Sequence, residues 1–312
     1  MMEKAGAPII AVVGSVNIDI VVKCASRPKP GETIMGQYHD FIPGGKGANQ
    51  ACAASRLGSA VSMLGCIGSD PLGSIVLDSL RQFGVSTSSL NVLDGEQTGA
   101  AFITVDGSGE NSIILTSGAN GRLTPEMVER NRQVIDEAHM TIAQLEIPLP
   151  VVERAAEMTL SGNGRFVLNP TPVREIADDS VLWNSTLFVV NEHEAEYYSG
   201  VAVKTAKEAL KAARALVERG VGMAIVTMGE SGSVVKSAQE EVFVEAVTAD
   251  AVDTTAAGDV YIGGFCAEWL RTGSVERAMR YASRAAAISV SRFGAQTSIP
   301  SDDEVLSAVR EH

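Results

Sequence analysis

The chain has 312 residues, 45% hydrophobic and 20% charged, a balance that excludes a disordered chain and leaves room for one large α/β domain or two ordinary ones. A net charge of −13 and a pI near 4.8 argue against a nucleic-acid partner, which would want a basic face. Acidity does not exclude an anionic small molecule, because salt screens surface charge over about 8 Å and local donors decide such binding.

Cys24, Cys52, Cys66 and Cys266 are scattered, with no C-x-x-C pair, and read as reduced, buried thiols of a cytoplasmic protein. Ala7–Val13 is too short to span a membrane and has no cleavage pattern after it, so a buried first strand is expected and no membrane partner.

In chain order, Ile9–Val13 fits a parallel strand, and Ser15–Asp19 follows where open α/β sheets place ligands. Asn17 and Asp19 would project to the same side if the chain stays extended there; a strand-end turn is the alternative. Pro28–Ile42 reads as a turn and a strand of mixed polarity. The glycine loop Pro43–Gln50 then runs into a helix, Ala51–Leu57, that Gly58 would stop. The Walker A pattern is absent, since Ala48 and Asn49 stand in the wrong places, so the glycines suit close backbone approach to a polyhydroxy ligand. Val61–Ile67 reads as a strand and Pro71–Phe83 as a helix. Thr98–Val105 and Ser112–Leu115 flank Asp106–Gly109 as a hairpin. With the strand before Pro43 they form either a small lid sheet or an edge hairpin of the main one.

From Thr124 the α/β rhythm resumes. Helices are expected over 124–138, 149–160 and 204–219, and strands over 140–145, 166–168, 187–190 and 223–227. Each strand ends in polar or glycine residues, which suggests one long cleft along the carboxyl edge. His193, Glu194 and Glu196 lack metalloprotease spacing and read as a solvated first turn of a helix. A last long helix spans about 275–293.

Small residues 252–258 precede Asp259 and the helical run Val260–Leu270. Unpaired N–H groups at such a helix start form an anion site, and Ala256, Ala257 and Gly258 are short enough to let a phosphoryl group approach. Asp259 stands where a hydroxyl proton could be taken; the simpler alternative is an N-cap.

Taken together, GSVNID (14–19), GGKGANQ (44–50), QLE (144–146), NEHEAE (191–196), TMGESG (227–232), DTTAAGD (253–259) and SRFGAQTSIP (291–300) resemble the ribokinase branch of the ribokinase/phosphofructokinase-B family of sugar kinases. The resemblance runs from about residue 9 to residue 300, and GGKGAN with D-T-x-A-A-G-D in this order is specific. It implies a doubly wound, mostly parallel α/β sheet flanked by helices in a catalytic domain of 1–16, 43–96 and 121–312. It also implies a β-sheet lid of 17–42 and 97–120 that pairs with a second subunit.

The implied reaction is ATP-dependent phosphorylation of D-ribose at its 5-hydroxyl, with Asp259 as base and Ala256, Ala257 and Gly258 as anion hole. Asn17, Ile18, Asp19, Gly45, Lys46, Gly47, Ala48, Asn49 and Glu146 match sugar contacts. Asn191, Thr227, Met228, Gly229, Glu230, Ser231, Gly232, Gly258, Asp259 and Ser283 match nucleotide positions. Asn191 and Glu194 form an N-x-x-E associated with magnesium. Asp253, Thr255, Ser289, Arg292, Gly294 and Ser298 match a potassium-favouring site, several through carbonyls. A same-fold kinase for 2-deoxyribose and a non-catalytic sugar-binding regulator are the alternatives.

Overall fold

Ile9–Val13 (β1) forms the expected strand, with Ile10 and Val12 in one buried core and Val13 in another. That alternation places a core on each face of the sheet, which is the layering of a doubly wound α/β domain. The same alternation recurs far along the chain, where Met223 and Ile225 join the first core and Ala224 and Val226 the second. The computed structural model describes residues 7–307; the ends of the expected catalytic domain, 1–6 and 308–312, lie outside the described residues.

After β1 the chain runs through Asn17–Lys23 (β2), Tyr38–Gly44 (β3), helix Lys46–Arg56 (α1), Ala60–Gly68 (β4), helix Pro71–Gln82 (α2), Ser86–Leu93 (β5), Gly99–Val105 (β6) and Asn111–Thr116 (β7). Helices Pro125–Arg130 (α3) and Arg132–Asp136 (α4) follow. Then come Met140–Gln144 (β8), Leu149–Ser161 (α5), Arg165–Asn169 (β9), Leu187–Asn191 (β10), Glu192–Ser199 (α6), Ala206–Glu218 (α7) and Met223–Thr227 (β11). The chain closes with Ser233–Ser237 (β12), Glu241–Val244 (β13), Ala257–Thr272 (α8), Val275–Val290 (α9) and Asp302–Ser307 (α10).

The main sheet has the order β13-β12-β11-β10-β9-β8-β1-β4-β5. Neighbours from β5 to β11 pair in parallel, and β12 and β13 extend the edge antiparallel. From β1 the chain first builds outward through β4 and β5, then returns to lay down β8 to β11 on the other side. The crevice between the carboxyl ends of β1 and β8 is therefore the topological switch point, where such sheets bind ligands. Ser15 follows β1 there and Glu146 follows β8.

The remaining strands form a separate sheet of order β3-β2-β6-β7, so the lid expectation holds over the edge-hairpin one. Ser15–Asp19 is not a turn: Asn17 and Asp19 are already in β2, pairing with β3 and β6.

Four local expectations change. Helix α1 begins at Lys46 rather than Ala51, because its first N–H groups meet distant acceptors: Lys46 N–H reaches Glu146 Oε2, Gly47 N–H the Ser15 hydroxyl and Ala48 N–H the Ser15 carbonyl. A helix start capped by remote residues carries no local cap signal. The helix expected over 124–138 breaks at Asn131, whose Nδ2 donates to the Met127 carbonyl at 2.9 Å. Strands β5, β12 and β13 and helix α10 were not anticipated. The last long helix ends at Val290, short of 293.

Helices α1 and α8 pack face to face through small residues. A Cβ on Gly263 would lie 2.6 Å from Ala53 Cβ and 2.7 Å from Ala54 N. One turn earlier on each helix stand Asn49 and Gln50, and Asp259. This close approach is what brings those three side chains together.

Candidate active site

The turn before α8 ends at Ala256, which adopts φ 60° and ψ 9°, a left-handed conformation costly for any residue with a Cβ. Ala256 is thus the N-cap, and Asp259 is the third helical residue rather than a cap. The expected anion hole is adjusted: Ala257 N–H turns back onto the Thr254 carbonyl at 3.3 Å. The N–H groups of Ala256, Gly258 and Asp259 have no partner among the described residues. These donors at a helix start, where the dipole is positive, favour an anion.

Asp259 is 6% exposed. Its Oδ2 accepts from Asn49 Nδ2 at 3.1 Å and its Oδ1 from Gln50 Nε2 at 2.9 Å. Asn49 in turn accepts from Gln296 Nε2 at 3.2 Å, and Gln296 accepts from the Ser79 hydroxyl.

At the start of β2, Asn17 Oδ1 accepts from Asn120 Nδ2 at 2.7 Å, which turns the Asn17 amide nitrogen away toward other partners. Asn120 itself is held by the N–H and carbonyl of Val16. Glu146 Oε2 accepts from the Ser15 hydroxyl at 2.5 Å and from Lys46 N–H at 3.1 Å. Burial, then the charges of Glu146 and Asp259, push the Asp19 carboxyl up to about 6. Burial opposes the Lys46 ammonium, yet Asp259, Glu146 and Glu194 together hold its pKa above the ordinary value. Gly45 takes φ 90°, and a Cβ there would lie 2.7 Å from Asn17 N, so only glycine fits between the lid strand and α1.

Two cavities meet at the start of α8. A small one of about 240 Å³ is walled by Lys46, Asn169, Thr171, Asn191, Glu194 and the 256–259 turn. A larger one of about 710 Å³ runs past Thr227, Gly229–Gly232 and Ser283, between the 246–251 segment and α9. Thr227, Thr254, Ala257 and Gly258 border both. An elongated ligand in the larger cavity therefore ends at the free N–H groups, with Asp259 on the far side of that junction.

Several expected contacts sit elsewhere. Ile18 and Ala48 are core residues whose side chains pack into the first hydrophobic cluster. Met228 is 4% exposed and belongs to the second cluster, so the nucleotide positions on either side of it line the cavity while it does not. Gly47 is buried against the Gly14–Ser15 backbone, where a Cβ would lie 2.6 Å from Ser15 N. Asn191 borders the small cavity rather than the large one.

Asn191 and Glu194 form a capping box. Asn191 Oδ1 accepts from Glu194 N–H, and Glu194 accepts from Asn191 N–H and Nδ2 and from the Thr171 hydroxyl. His193 and Glu196 are exposed, as a solvated first turn predicts, but Glu194 is buried at the cavity wall. Among the described residues no group of three or more His, Cys, Asp or Glu side chains is arranged to hold a metal.

The expected cation positions are brought together. Asp253 accepts from Thr255 N–H and Gly294 N–H, both at 2.9 Å; burial opposes its ionisation, but these bonds hold its carboxyl below the ordinary value. The Ser289 and Ser298 hydroxyls bond each other at 2.7 Å. The Arg292 guanidinium points away to Glu304, so only its backbone is left for such a site.

Sequence reasoning missed Asn120, Thr171 and the 246–251 wall, and gave no role to Gln50, Gln144 and Gln296 although each stands inside a quoted motif. Ser15 and Asn169 carried a signal, as polar residues at or just past a strand end.

Residues 8–302 match the family described as pfkB family carbohydrate kinase. A ribokinase of Haemophilus influenzae is 40% identical over 297 residues, spanning 95% of this chain and 97% of that protein. A deoxyribokinase of Salmonella typhi is 37% identical over 295 residues, spanning 95% and 96%. The structure of an Arabidopsis thaliana ribokinase complexed with ribose and ATP superposes with a TM-score of 0.92 at 29% identity, over 97% of this chain and 99% of that one.

Proposed function

The chain belongs to the pfkB family of carbohydrate kinases and is a sugar kinase of the ribokinase type; on that premise we propose that it transfers the γ-phosphoryl group of ATP to the 5-hydroxyl of D-ribose, giving ribose 5-phosphate. The observation that carries this reading is the junction of the two cavities at residues 256–259, where free N–H groups and the Asp259 carboxylate face one space.

In this reading ATP lies in the larger cavity with its phosphates toward the α8 start, and the sugar lies between the lid and Asp259. Asp19 and Glu146 bond vicinal hydroxyls of the furanose through charge-assisted hydrogen bonds, and Asn17 and Asn49 donate to it. Asp259 takes the proton of the primary hydroxyl as the phosphoryl group moves; phosphoryl transfer asks little more of the protein than placement and charge stabilisation. The Ala256, Gly258 and Asp259 N–H groups receive the migrating group, and Lys46 neutralises charge beside it.

Magnesium bound with the nucleotide would neutralise its phosphates. Glu194 already accepts from Asn191 and Thr171, so Asn191 and Glu194 fit that ion through water rather than by direct ligation. Carbonyls of the 253–255 and 289–298 segments would hold potassium, shaping the turn that ends at Ala256.

Residues 17–42 and 97–120 act as a lid that excludes water when closed. On one face of its sheet Phe41, Ile20, Phe102 and Ile114 stand in register, and Phe41, Phe102 and Ile114 are 42%, 46% and 69% exposed. That exposed apolar row supports a homodimer in which a second copy of the chain covers it. Four buried, unpaired cysteines favour a cytoplasmic location.

The second reading, a 2-deoxyribose kinase, draws on the similar deoxyribokinase. Comparing kcat/KM for D-ribose and 2-deoxyribose, with the phosphorylated position assigned by NMR, decides between them. A site that bonds the 2-hydroxyl should favour ribose by at least about tenfold; parity or a reversed ratio would remove the ribose assignment.

A further inference from the structure

We infer that Gln50 is the positioning residue of the phosphoryl-transfer site: it fixes the Asp259 carboxylate and ties it, through a buried relay, to Glu194, which lines the same small cavity. This rests on the reading of Asp259 as the base.

Gln50 is fully buried in the first turns of α1. Its Nε2 has two hydrogens and two acceptors, Asp259 Oδ1 at 2.9 Å and Asn169 Oδ1 at 3.1 Å. Its Oε1 accepts from Gln144 Nε2 at 2.6 Å. Asn169 Nδ2 passes its two hydrogens to the Thr171 hydroxyl and the Val189 carbonyl, each at 3.0 Å. The Thr171 hydroxyl donates to Glu194 Oε1 at 2.6 Å. Every donor hydrogen of Gln50 Nε2, Asn169 Nδ2 and the Thr171 hydroxyl has an acceptor, and the two ends of the relay are both carboxylates.

That leaves one consistent direction for each amide. Turning Gln50 over would set its carbonyl oxygen against Asp259 Oδ1, so the Asp259 carboxylate dictates the Gln50 orientation, and Gln144 must present its nitrogen to Gln50. Gln144 does so with its own Oε1 buried and without a partner among the described residues. An orphan acceptor at the carboxyl end of a buried strand does nothing for the fold. It is the consequence of aiming Gln50 Nε2 at Asp259.

The role follows from what the small cavity must admit. Asp259 and Glu194 both face it, and an entering phosphoryl group is anionic. Left mobile, either carboxylate would swing from it or compete for the donors at the α8 start. The relay, with Asn49 on Oδ2, holds Asp259 in one plane with its remaining lone pairs toward the substrate. Asp19 and Lys46 lie close enough to Asp259 to feel its charge, and Glu194 lines the same cavity, so neutral amides are the clamp that adds no further charge.

The test uses Gln50→Met, Gln50→Glu and Asp259→Asn in the full chain, with ADP binding by calorimetry and thermal unfolding as controls. Gln50→Met should lower kcat by about 10- to 100-fold, since a loosened base loses its placement, while ADP affinity is unchanged, because Gln50 does not border the larger cavity. Gln50→Glu should be nearly inactive at alkaline pH and regain activity as pH falls and the introduced carboxyl, its pKa raised by the neighbouring charge, protonates and donates. A role in scaffolding alone would not produce that inverted pH profile. Should Gln50→Glu not fold, the kcat of Gln50→Met decides. The inference is overturned if Gln50→Met turns over like the parent while Asp259→Asn is inactive, or if kcat, ADP affinity and melting temperature all fall together. Full turnover in Asp259→Asn would instead remove the base, and this inference with it.

Discussion

Asn49 donates from Nδ2 to Asp259 Oδ2 across 3.1 Å, joining the first turn of α1 to the first turn of α8. Because Gln50 occupies Oδ1, both oxygens of Asp259 accept amide hydrogens. Asp259→Asn is therefore not a silent change of charge: its new NH₂ must face one of two donors. Turnover should fall by about two to four orders of magnitude, and the melting temperature should drop by the equivalent of about 1–3 kcal/mol for the unpaired donor. Steady-state kinetics beside a thermal melt separates the two; unimpaired turnover discards Asp259 as base.

Asp19 presents the opposite balance, a group whose role costs stability. Its carboxyl is raised from 3.8 to about 6, by burial first and then by Glu146 and Asp259. A raised folded-state value means the stabilising contribution is fully present below 3.8 and is lost as pH rises through about 6. Asp19→Asn should thus stabilise the sugar-free protein near pH 7.5, by at most about 3 kcal/mol, and the gain should shrink toward pH 4. Ribose affinity should fall in the same variant, since a carboxylate acceptor is lost. Melting curves of both proteins at pH 5 and pH 7.5 measure this, and a gap that does not change with pH would show that Asp19 is not the titrating group.

How much of this could be read in advance follows the range of each interaction. The strands of the parallel core were legible as short continuous apolar runs such as Ile9–Val13, because such a strand serves two cores, Ile10 and Val12 in one and Val13 in the other. Strand β5 was not, since Ser86–Leu93 is an edge strand rich in serine and asynchronous with any apolar period. Asp259 was legible from its small neighbours and the helix behind it. Its pairing with Asn49 and Gln50 was not, because they lie 210 and 209 positions away, and Gln296 reaches Asn49 from 247 positions away. Within matched motifs, Ile18, Ala48 and Met228 turned into the core because a strand or helix must bury part of every motif it carries.

Ala256 and Asn163 are the described non-glycine residues with positive φ, and of the two Ala256 borders the small cavity at the start of α8. A left-handed alanine costs about 1–2 kcal/mol, while glycine adds about 0.5–1 kcal/mol of unfolded-state entropy. Ala256→Gly should therefore leave the melting temperature unchanged or raise it slightly. Ala256→Val should lower it, because a β-branched residue tolerates this conformation worst. If the glycine variant keeps kcat, the backbone path alone sets the anion pocket. A marked loss of kcat with unchanged stability would mean that rigidity of this turn is part of catalysis.

The same turn is anchored from the far end by Asp253, whose two oxygens hold Thr255 N–H and Gly294 N–H and so join the 253–256 turn to the 289–298 loop. A monovalent ion among the carbonyls of those two segments would tighten the same junction without touching either substrate. Potassium in place of tetramethylammonium at equal ionic strength should raise kcat/KM severalfold, with sugar binding alone little affected. Asp253→Ala leaves two N–H groups unpaired, a cost of about 1–3 kcal/mol, and should erase the difference between the two salts because the segments no longer share an anchor. Rates that are equal in both salts for the parent chain would dismiss the ion site. A salt response that survives in Asp253→Ala would keep the ion but move it away from this junction.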